Sequence, residues 1–311
     1  MRVLVVTNMY PSRERPWLGP FVRDQVEAFR RRPDLDVELF AFPPGPRALL
    51  AATSRLRKRF KGQAFDIVHA HFGLTAWPAL LANLGPVVVT LHGNDLLVRR
   101  SYYVTRSALP FCALTAAVSR EFSENLPGAG TKRRVAILPV GIDLRRFRPI
   151  ERAEARERVG LDPDGHYLLF PHDPTRPLKR FDRAQQAAGD TTLLTLGGVA
   201  PDEVPYWINA ANAVLVPSEK EAFGLSAIEA LACGVPVLAT PVGIHPVALQ
   251  GVEGAYCAPF DRDAWRAALT PYLEAPDPRS HGRERAELFS ADAMAARVVA
   301  AWRNLLEDRT S

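Results

Sequence analysis

The chain has 311 residues, of which 47% are hydrophobic and 23% are charged. This composition is typical of a globular protein and excludes a disordered or fibrous one, and the length predicts two domains of about 150 residues each. The net charge of +5 is carried by scattered basic residues without interleaved aromatic residues, which disfavours a nucleic-acid-binding protein. No apolar run approaches the roughly 18 residues of a membrane span, and the three widely separated cysteines fit a reducing cytoplasm.

Short apolar runs alternate with helical patterns along the first half of the chain. Runs without polar alternation indicate parallel strands that are covered on both faces. The first run is too short for a signal peptide and favours a strand. The predicted strands are 3–7, 37–41, 67–69, 87–90, 113–118 and 135–138, and the predicted helices are 21–31, 47–60, 74–84 and 120–125. This alternation predicts a doubly wound α/β sheet.

A second series of the same kind follows an Arg- and Pro-containing stretch near 139–150. Its predicted strands are 167–170, 192–195, 213–216, 235–238 and 254–256, and its predicted helices are 226–232, 263–273 and 291–306. We predict two Rossmann-like domains, one over 1–145 joined by the C-terminal helix at about 291–311, and one over 146–290. Ligands of such folds bind outside the carboxyl ends of the strands, here in a cleft between the two domains.

The most informative stretch joins a predicted buried strand to a predicted helix between 213 and 234. Glu221 lies in the connecting loop, Gly224 precedes the helix, and Glu229 lies in the helix. A helix N-terminus offers unpaired N–H groups and partial positive charge, so it can hold a pyrophosphate or sugar hydroxyls. Two carboxylates at this spacing suit a polyol, because each accepts two hydroxyl hydrogen bonds. The alternative, two solvated glutamates at a helix start, is disfavoured by the regular order of strand, loop, helix and Gly-x-Pro stop.

This E-x7-E stretch, followed by A-C-G-V-P-V, resembles the retaining glycosyltransferases of family 4, which have the GT-B architecture of two Rossmann-like domains facing a cleft. The resemblance covers nearly the whole chain. It implies that Glu229 binds the ribose hydroxyls of a nucleotide sugar and that Glu221 contacts the donor hexose. It further implies that backbone groups hold the sugar hydroxyls and the diphosphate, namely those of Phe223, Gly224 and Leu225. The second domain would then bind the donor, and the first would face the acceptor.

A basic loop follows the first predicted strand of the second domain. Cations at this end of a parallel sheet can neutralise a diphosphate leaving group. The family shows a Gly-Arg pair, about four further residues, and then Lys-Gly. Lys179 matches that lysine, but His172-Asp-Pro stands in place of the Gly-Arg pair, and we expect Arg176 to take over the role of the arginine. A solvated loop without a ligand is the alternative.

Four residues in the first domain also match the family. His92 ends the fourth strand, where the resemblance implies contact with the donor sugar near its 6-hydroxyl. The alternative is a histidine that makes its hydrogen bonds within its own βα-turn. Gly19 lies in the long first loop, and the resemblance implies that it packs against the donor phosphate. His69 and His71 share one face of the preceding strand, and without a third ligand nearby we favour packing and cleft-lining roles over a metal site.

Metal ligands and membrane contacts are the remaining functional candidates. Asp-x-Asp pairs occur at 34–36, 162–164 and 261–263, and we interpret the last as a helix N-cap and the others as turns. We therefore expect transfer without a metal and no other cofactor.

Basic residues beside an apolar stripe at Arg55–Lys61 permit docking on an anionic bilayer, although a plain surface helix is the alternative. After Thr240, the family's G-G-x-P-E is replaced by V-G-I-H-P-V.

These patterns and the resemblance predict a cytoplasmic hexosyltransferase. It moves a hexosyl group from a UDP- or GDP-sugar to a hydroxyl of a carbohydrate, glycolipid or small-molecule acceptor. No carboxylate is placed as the nucleophile of a double displacement, so the family's front-face attack with retention is expected. A UDP-sugar 2-epimerase and a non-catalytic subunit that binds a nucleotide sugar are the two alternatives. Peripheral contact with the inner face of the membrane, through Arg55–Lys61, is the alternative to a location entirely in the cytoplasm.

Overall fold

The computed structural model describes residues 1–124, 126 and 135–310. Residue 125, at the end of the predicted helix 120–125, and residue 311 lie outside the described residues. The chain divides into two compact units. Unit 1 comprises Met1–Gly141 together with Ala291–Ser311, and unit 2 comprises Ile142–Ser290.

In unit 1 the described residues form a six-stranded parallel sheet in the order β2-β1-β3-β4-β5-β6. Its strands are β1 (Arg2–Thr7), β2 (Asp36–Ala41), β3 (Ile67–His71), β4 (Val87–Leu91), β5 (Leu114–Ala117) and β6 (Val135–Ile137). The inner strands are apolar on both faces because helices cover both, and this confirms the doubly wound sheet. The chain first adds β2 on one side of β1 and then β3 on the other.

The helices of unit 1 follow the predicted ones with two differences. They are α1 (Pro20–Arg30), α2 (Pro46–Arg59), α3 (Ala76–Ala82), α4 (Asn94–Leu97), α5 (Arg99–Ala108) and α6 (Arg120–Glu124). The predicted helix 74–84 is a short 3-10 turn followed by α3. The helices α4 and α5 were not predicted, because α5 exposes most of its residues and has no regular apolar stripe.

Unit 2 has a five-stranded parallel sheet, among the described residues, in the order β11-β10-β9-β7-β8. Its strands are β7 (Tyr167–Phe170), β8 (Thr192–Thr195), β9 (Ala213–Val216), β10 (Val237–Ala239) and β11 (Ala255–Cys257). Three of them have the predicted bounds, whereas β10 begins two residues later than predicted. The chain reverses its direction of strand addition between β7 and β9, and the crevice at such a point is where open α/β sheets bind ligands.

Sequence patterns identify only part of the helices of unit 2. The helices are α7 (Arg152–Val159), α8 (Phe181–Ala188), α9 (Val204–Ala210), α10 (Leu225–Ala232), α11 (His245–Leu249), α12 (Arg262–Glu274) and α13 (Arg283–Glu287). Helix α7 was not predicted because arginines, rather than apolar residues, form part of its buried face. The Arg152 guanidinium donates to Pro278 O at 2.9 Å, and that of Arg156 donates to Ala210 O at 3.1 Å.

The last helix, α14 (Ala291–Thr310), belongs to unit 1 although it follows unit 2 in the chain. Its Trp302 is fully buried, with ring centroids 4.8 Å from Phe29 and 5.3 Å from His69. The neighbouring Val298 and Val299 join the same core, which lies on the α1 face of the sheet. None of the helices that the described residues form is both long enough and apolar enough to cross a membrane.

Candidate functional site

Two loops of unit 2 are joined by a buried ion pair at the carboxyl edge of the sheet. Lys179 Nζ donates a hydrogen bond of 2.5 Å to Glu221 Oε1, and Ser218 Oγ donates one of 2.7 Å to the same oxygen. The side chains of Lys179 and Glu221 are only 10% and 8% exposed. Burial lowers the pKa of Lys179, and the Glu221 carboxylate opposes this effect. A buried charge requires such a partner, so the pair joins the loop after β7 to the loop after β9.

The loop after β10 supports the same site from the other side. Thr240 Oγ1 donates to Ser218 O at 2.5 Å, and the N–H of Ile244 donates to Phe223 O at 2.8 Å. His245 is fully buried, and its Nδ1 lies 2.9 Å from Thr240 O. A carbonyl can only accept, so Nδ1 carries the proton of the imidazole. The loops after β9 and β10 therefore position each other.

Helix α10 begins at Leu225, directly after Gly224, whose φ is +106°. A Cβ at Gly224 would lie 2.4 Å from Nε2 of His245, so this position requires glycine for both its backbone and its contacts. The first N–H groups of a helix have no intrahelical partner and carry partial positive charge, which favours anions. The start of α10 follows the Glu221 loop by only a few residues, so the two features form one site.

A histidine also lies against the first turn of α10. His172 Nε2 is 3.3 Å from the hydroxyl of Ser226, the second residue of the helix. Burial lowers the pKa of His172 well below its ordinary value, and the positive charges of Lys179 and Arg176 add to the effect. Burial also lowers the pKa of His245, against the attraction of the Glu221 carboxylate. Both imidazoles are therefore neutral at pH 7.

The other predicted residues of unit 2 lie around this site. Phe223 is buried, with its ring 6.1 Å from that of Phe289, and Leu225 is half-buried. Glu229 is half-buried in the second turn of α10, and its charge acts on Lys179. Arg176 is exposed, and its charge acts on both His172 and Lys179. The structure thus gathers the predicted residues of unit 2 near one edge of its sheet.

The predicted histidines of unit 1 form a row at the ends of β3 and β4. His71 Nδ1 lies 3.0 Å from His92 Nε2, and the rings of His69 and His71 stack with centroids 4.5 Å apart. His69 Nε2 is 2.7 Å from Thr90 Oγ1. Burial lowers the pKa of all three histidines, and that of His71 falls to about 3. A row of neutral rings fits the expected packing role of His69 and His71.

An aspartate holds the loop that carries His92. Asp95 Oδ2 accepts the backbone N–H of His92 at 2.6 Å, and Oδ1 accepts that of Gly73 at 2.6 Å. Burial raises the pKa of Asp95, and these N–H groups oppose the rise. The His92 ring itself lies 5.0 Å from Phe21 and 4.7 Å from Phe72, measured between centroids. Its orientation is therefore fixed by both hydrogen bonding and packing.

Gly19 precedes α1 with a φ of +65°. A Cβ at this position would lie 2.4 Å from Met9 O, so the folded loop itself requires glycine here. This packing against Met9 accounts for the glycine without any ligand. The implied contact of Gly19 with a donor phosphate stays a prediction.

Several supporting residues were not predicted to act in either site. Ser218, Ser226, Asp95 and His245 contact the predicted residues or their backbone. Each follows the carboxyl end of a strand or begins a helix, which is the signal that could have identified them. What the sequence could not supply was the pairing, because the partners lie on different loops.

The Asp-x-Asp pairs have structural contacts. Asp261 caps α12 by accepting the N–H of Ala264, as predicted. Asp162 Oδ1 accepts the N–H of Asp164 at 3.0 Å within a turn, and Asp34 pairs with Arg303 at 2.6 Å. Among the residues that the structure describes, no group of three or more His, Cys, Asp or Glu side chains is arranged to hold a metal ion.

The basic stretch Arg55–Lys61 lies at the end of α2. Its apolar residues Leu56 and Phe60 are buried in the core of unit 1, whereas Arg55 and Lys58 are exposed. The apolar stripe is therefore occupied by the core and is not a surface for insertion into lipid. Only the charged face can meet an anionic surface.

Models of two families match the chain. "Glycosyltransferase Family 4" matches residues 1–146, and "Glycosyl transferases group 1" matches residues 174–289. The D-inositol 3-phosphate glycosyltransferase of Frankia alni is 29% identical over an alignment that covers 78% of this chain and 75% of that protein.

Two solved structures share the fold over almost the whole chain. Sucrose-phosphate synthase of Thermosynechococcus elongatus has a TM-score of 0.74 and 19% identity, with 99% of this chain and 100% of that chain covered. HepE of Anabaena, in complex with UDP-glucose, has a TM-score of 0.72 and 14% identity, with 98% and 100% covered. At these identities the similarity is one of fold.

Because His69, His71 and His92 are buried and neutral, we expect acid to destabilise unit 1. The pKa of His71 is about 3 in the folded chain and about 6.5 without burial. Between these values the unfolded chain binds more protons, so the free energy of unfolding falls as the pH falls. We expect the melting temperature of unit 1 to drop from pH 7 to pH 5, and His71→Asn to remove up to about 1.4 kcal/mol per pH unit of that dependence.

Calorimetry at several pH values measures this effect. His281→Asn is the matched control, because His281 is exposed in unit 2 and pairs with Glu253. An unchanged pH slope in the His71 variant contradicts the prediction.

Proposed function

The chain belongs to glycosyltransferase family 4 and has the GT-B fold, and from this premise we propose that it transfers a hexosyl group from a UDP- or GDP-sugar to an acceptor hydroxyl with retention. The observation that carries the proposal is the ion pair of Lys179 and Glu221 beside the start of α10. This arrangement combines a cation and a helix N-terminus for a diphosphate with a carboxylate for sugar hydroxyls.

The donor diphosphate is assigned to the N-terminus of α10. Lys179 supplies the nearest charge, and Arg176 is the second cation of the same loop. Charge develops on the leaving phosphate during transfer, and fixed positive groups in a water-poor site stabilise it strongly. The backbone of Phe223, Gly224 and Leu225 supplies the hydrogen bonds.

The sugar hydroxyls are assigned to the two glutamates. Lys179 and Ser218 both contact Oε1 of Glu221, and we assign the other oxygen, Oε2, to a hydroxyl of the hexose. Glu229 accepts the ribose hydroxyls. In unit 1 we assign His92 to the donor sugar and Gly19 to its phosphate, as the family resemblance implies.

Retention is proposed to follow from attack on the same face that the phosphate leaves. The acceptor hydroxyl then bonds to the anomeric carbon, the bond from that carbon to the phosphate oxygen breaks, and the departing phosphate takes the hydroxyl proton. Glu221 is committed to Lys179 and Ser218, which suits a binding role better than that of a nucleophile. Proton NMR of the product reports the anomeric configuration.

The acceptor and the contact with the inner face of the membrane are proposed only as chemical classes. The relative from Frankia alni is named for D-inositol 3-phosphate, so phosphorylated polyols join carbohydrates and glycolipids as acceptors to be tried.

Contact with the membrane through Arg55–Lys61 is proposed as electrostatic only, because the apolar stripe of α2 is buried. Co-sedimentation with phosphatidylglycerol vesicles, lost on Arg55→Gln with Lys58→Gln, measures that contact.

A thermal-shift panel of UDP-, GDP- and ADP-sugars tests the donor site. We expect one class of nucleotide sugar to raise the melting temperature, because a ligand that binds only the folded chain stabilises it by mass action. The same rise is expected in EDTA, since positive side chains and a helix N-terminus are proposed to neutralise the diphosphate. A panel without any shift, or a shift that EDTA abolishes, contradicts the corresponding part of the proposal.

Variants of the ion pair test the assignment of the residues. Glu221→Gln and Lys179→Met should each lower the rate of transfer by about 100-fold or more, because each removes a group proposed to act on the donor. Lys220→Gln is the matched control, since Lys220 is the exposed neighbour of Glu221. Melting temperatures of the variants separate loss of function from loss of fold.

The transfer assay also separates the alternative functions. Conversion of UDP-N-acetylglucosamine to its epimer in the absence of an acceptor would favour a 2-epimerase. Donor binding without transfer or slow donor hydrolysis would favour a non-catalytic subunit. Near-normal transfer by either ion-pair variant would exclude the assigned site.

A further inference from the structure

The imidazole of His172 lies where the donor diphosphate is proposed to bind. His172 follows β7 by two residues, and its ring meets Phe170 edge-on with centroids 5.5 Å apart. Its Nε2 lies 3.3 Å from Ser226 Oγ, in the first turn of α10. The ring is only partly exposed. A side chain that can become positively charged is thus held at a helix N-terminus, where anions are favoured.

A second observation at the same helix end points to a ligand. His245 is fully buried, and its Nε2 makes no hydrogen bond of normal geometry to any described residue. This nitrogen faces Gly224, the residue before α10, at contact distance. A buried polar atom without a partner costs free energy, and such atoms concentrate at functional sites. The start of α10 is therefore lined by two imidazoles, neither of which helix formation requires.

Burial and the surrounding charges keep His172 neutral in the free protein. Burial lowers the pKa of His172 most, and Lys179 and Arg176 of the loop after β7 and His245 of α11 lower it further. The carboxylates of Glu221 and Glu229 act on Lys179 in the same region. A bound diphosphate adds negative charge to this cluster, and a nearby opposite charge favours the protonated form of an imidazole.

We propose that His172 contacts the donor diphosphate as an imidazolium, so that donor binding takes up one proton from solvent. The proposal rests on the proposed function, because it needs the diphosphate at the start of α10. No bond to carbon or phosphorus changes in this step. The imidazole gains a proton, and in the imidazolium the Nε2–H group donates to Ser226 Oγ while the Nδ1–H group donates to a phosphate oxygen.

The sign of the pH dependence follows from this coupling. Between the pKa of His172 in the free protein and its higher pKa in the complex, the complex holds one more proton. Donor affinity therefore rises as the pH falls, with a limit of about tenfold per pH unit for one proton. A guanidinium at this position would stay charged throughout and would give no such dependence.

Isothermal titration calorimetry tests the proposal with UDP-glucose, GDP-mannose and ADP-glucose as probes. These are diphosphate diesters, so they avoid the monoester phosphate that titrates near a pKa of about 6. For the probe that binds, we expect the dissociation constant to fall by at least about threefold from pH 8 to pH 6. At pH 6 the binding enthalpy should differ between cacodylate and Bis-Tris buffers by the amount that proton uptake predicts.

Three variants assign the proton to its residue. His172→Gln keeps a polar side chain without titration and should abolish both the proton uptake and the pH dependence. His172→Lys keeps a positive charge and should bind the probe at pH 8 at least as tightly as the unmodified protein. His281→Gln, remote from α10 in the sequence and exposed, should leave the uptake unchanged.

The outcomes distinguish this proposal from the one on which it rests. If none of the three probes binds at any pH, the proposed function fails and this inference fails with it. If a probe binds with the same affinity and no proton uptake from pH 8 to pH 6, only this inference is overturned. Proton uptake that persists in His172→Gln also overturns it. The measurement on the unmodified protein needs no variant to fold.

Discussion

The buried contact of Lys179 with Glu221 is the constraint on which the site in unit 2 depends. The two residues lie 42 positions apart, yet their loops follow β7 and β9, which are neighbours in the sheet. Because all strands of this sheet run in parallel, their carboxyl ends present the loops at one edge. Strand order brings the two loops close together, and the buried ion pair then joins them; Ser218, in the same loop as Glu221, donates to the shared oxygen.

Both units use burial to keep histidines neutral beside the residues assigned to the donor. In unit 1 the rings of His71 and His92 bond to each other, so each fixes the orientation of the other. In unit 2, His172 lies against Ser226 Oγ and His245 against Thr240 O, and the charge of Lys179 acts on both imidazoles. Neutral imidazoles can both donate and accept, which lysine and arginine cannot. The chain therefore keeps polar side chains at its sheet edges without adding to the positive charge already there.

The strands were the most predictable part of the fold, since β7, β8 and β9 have the bounds that their apolar runs indicated. Helix α7 was not predicted, because its buried arginines donate to backbone carbonyls and therefore do not produce a periodic pattern of apolar residues. In the site, Glu221 and Lys179 were identified singly from local patterns, whereas their hydrogen bond arises from sheet order. His245 was not identified, because its contact with Gly224, which lies in the loop after a different strand, arises only when the sheet has formed.

The position of α14 in the chain has a consequence for biosynthesis. Unit 2 is one continuous segment, so the ribosome adds all of its residues to the chain before those of α14. Unit 1 starts first but lacks Trp302 and Val298 from its core until translation has passed through the whole of unit 2. The part of this sheet face that α14 covers, beside α1, thus stays uncovered on the nascent chain while about half of the protein is synthesised. Transiently exposed apolar surface of this kind makes a nascent domain prone to aggregation until its last helix is added.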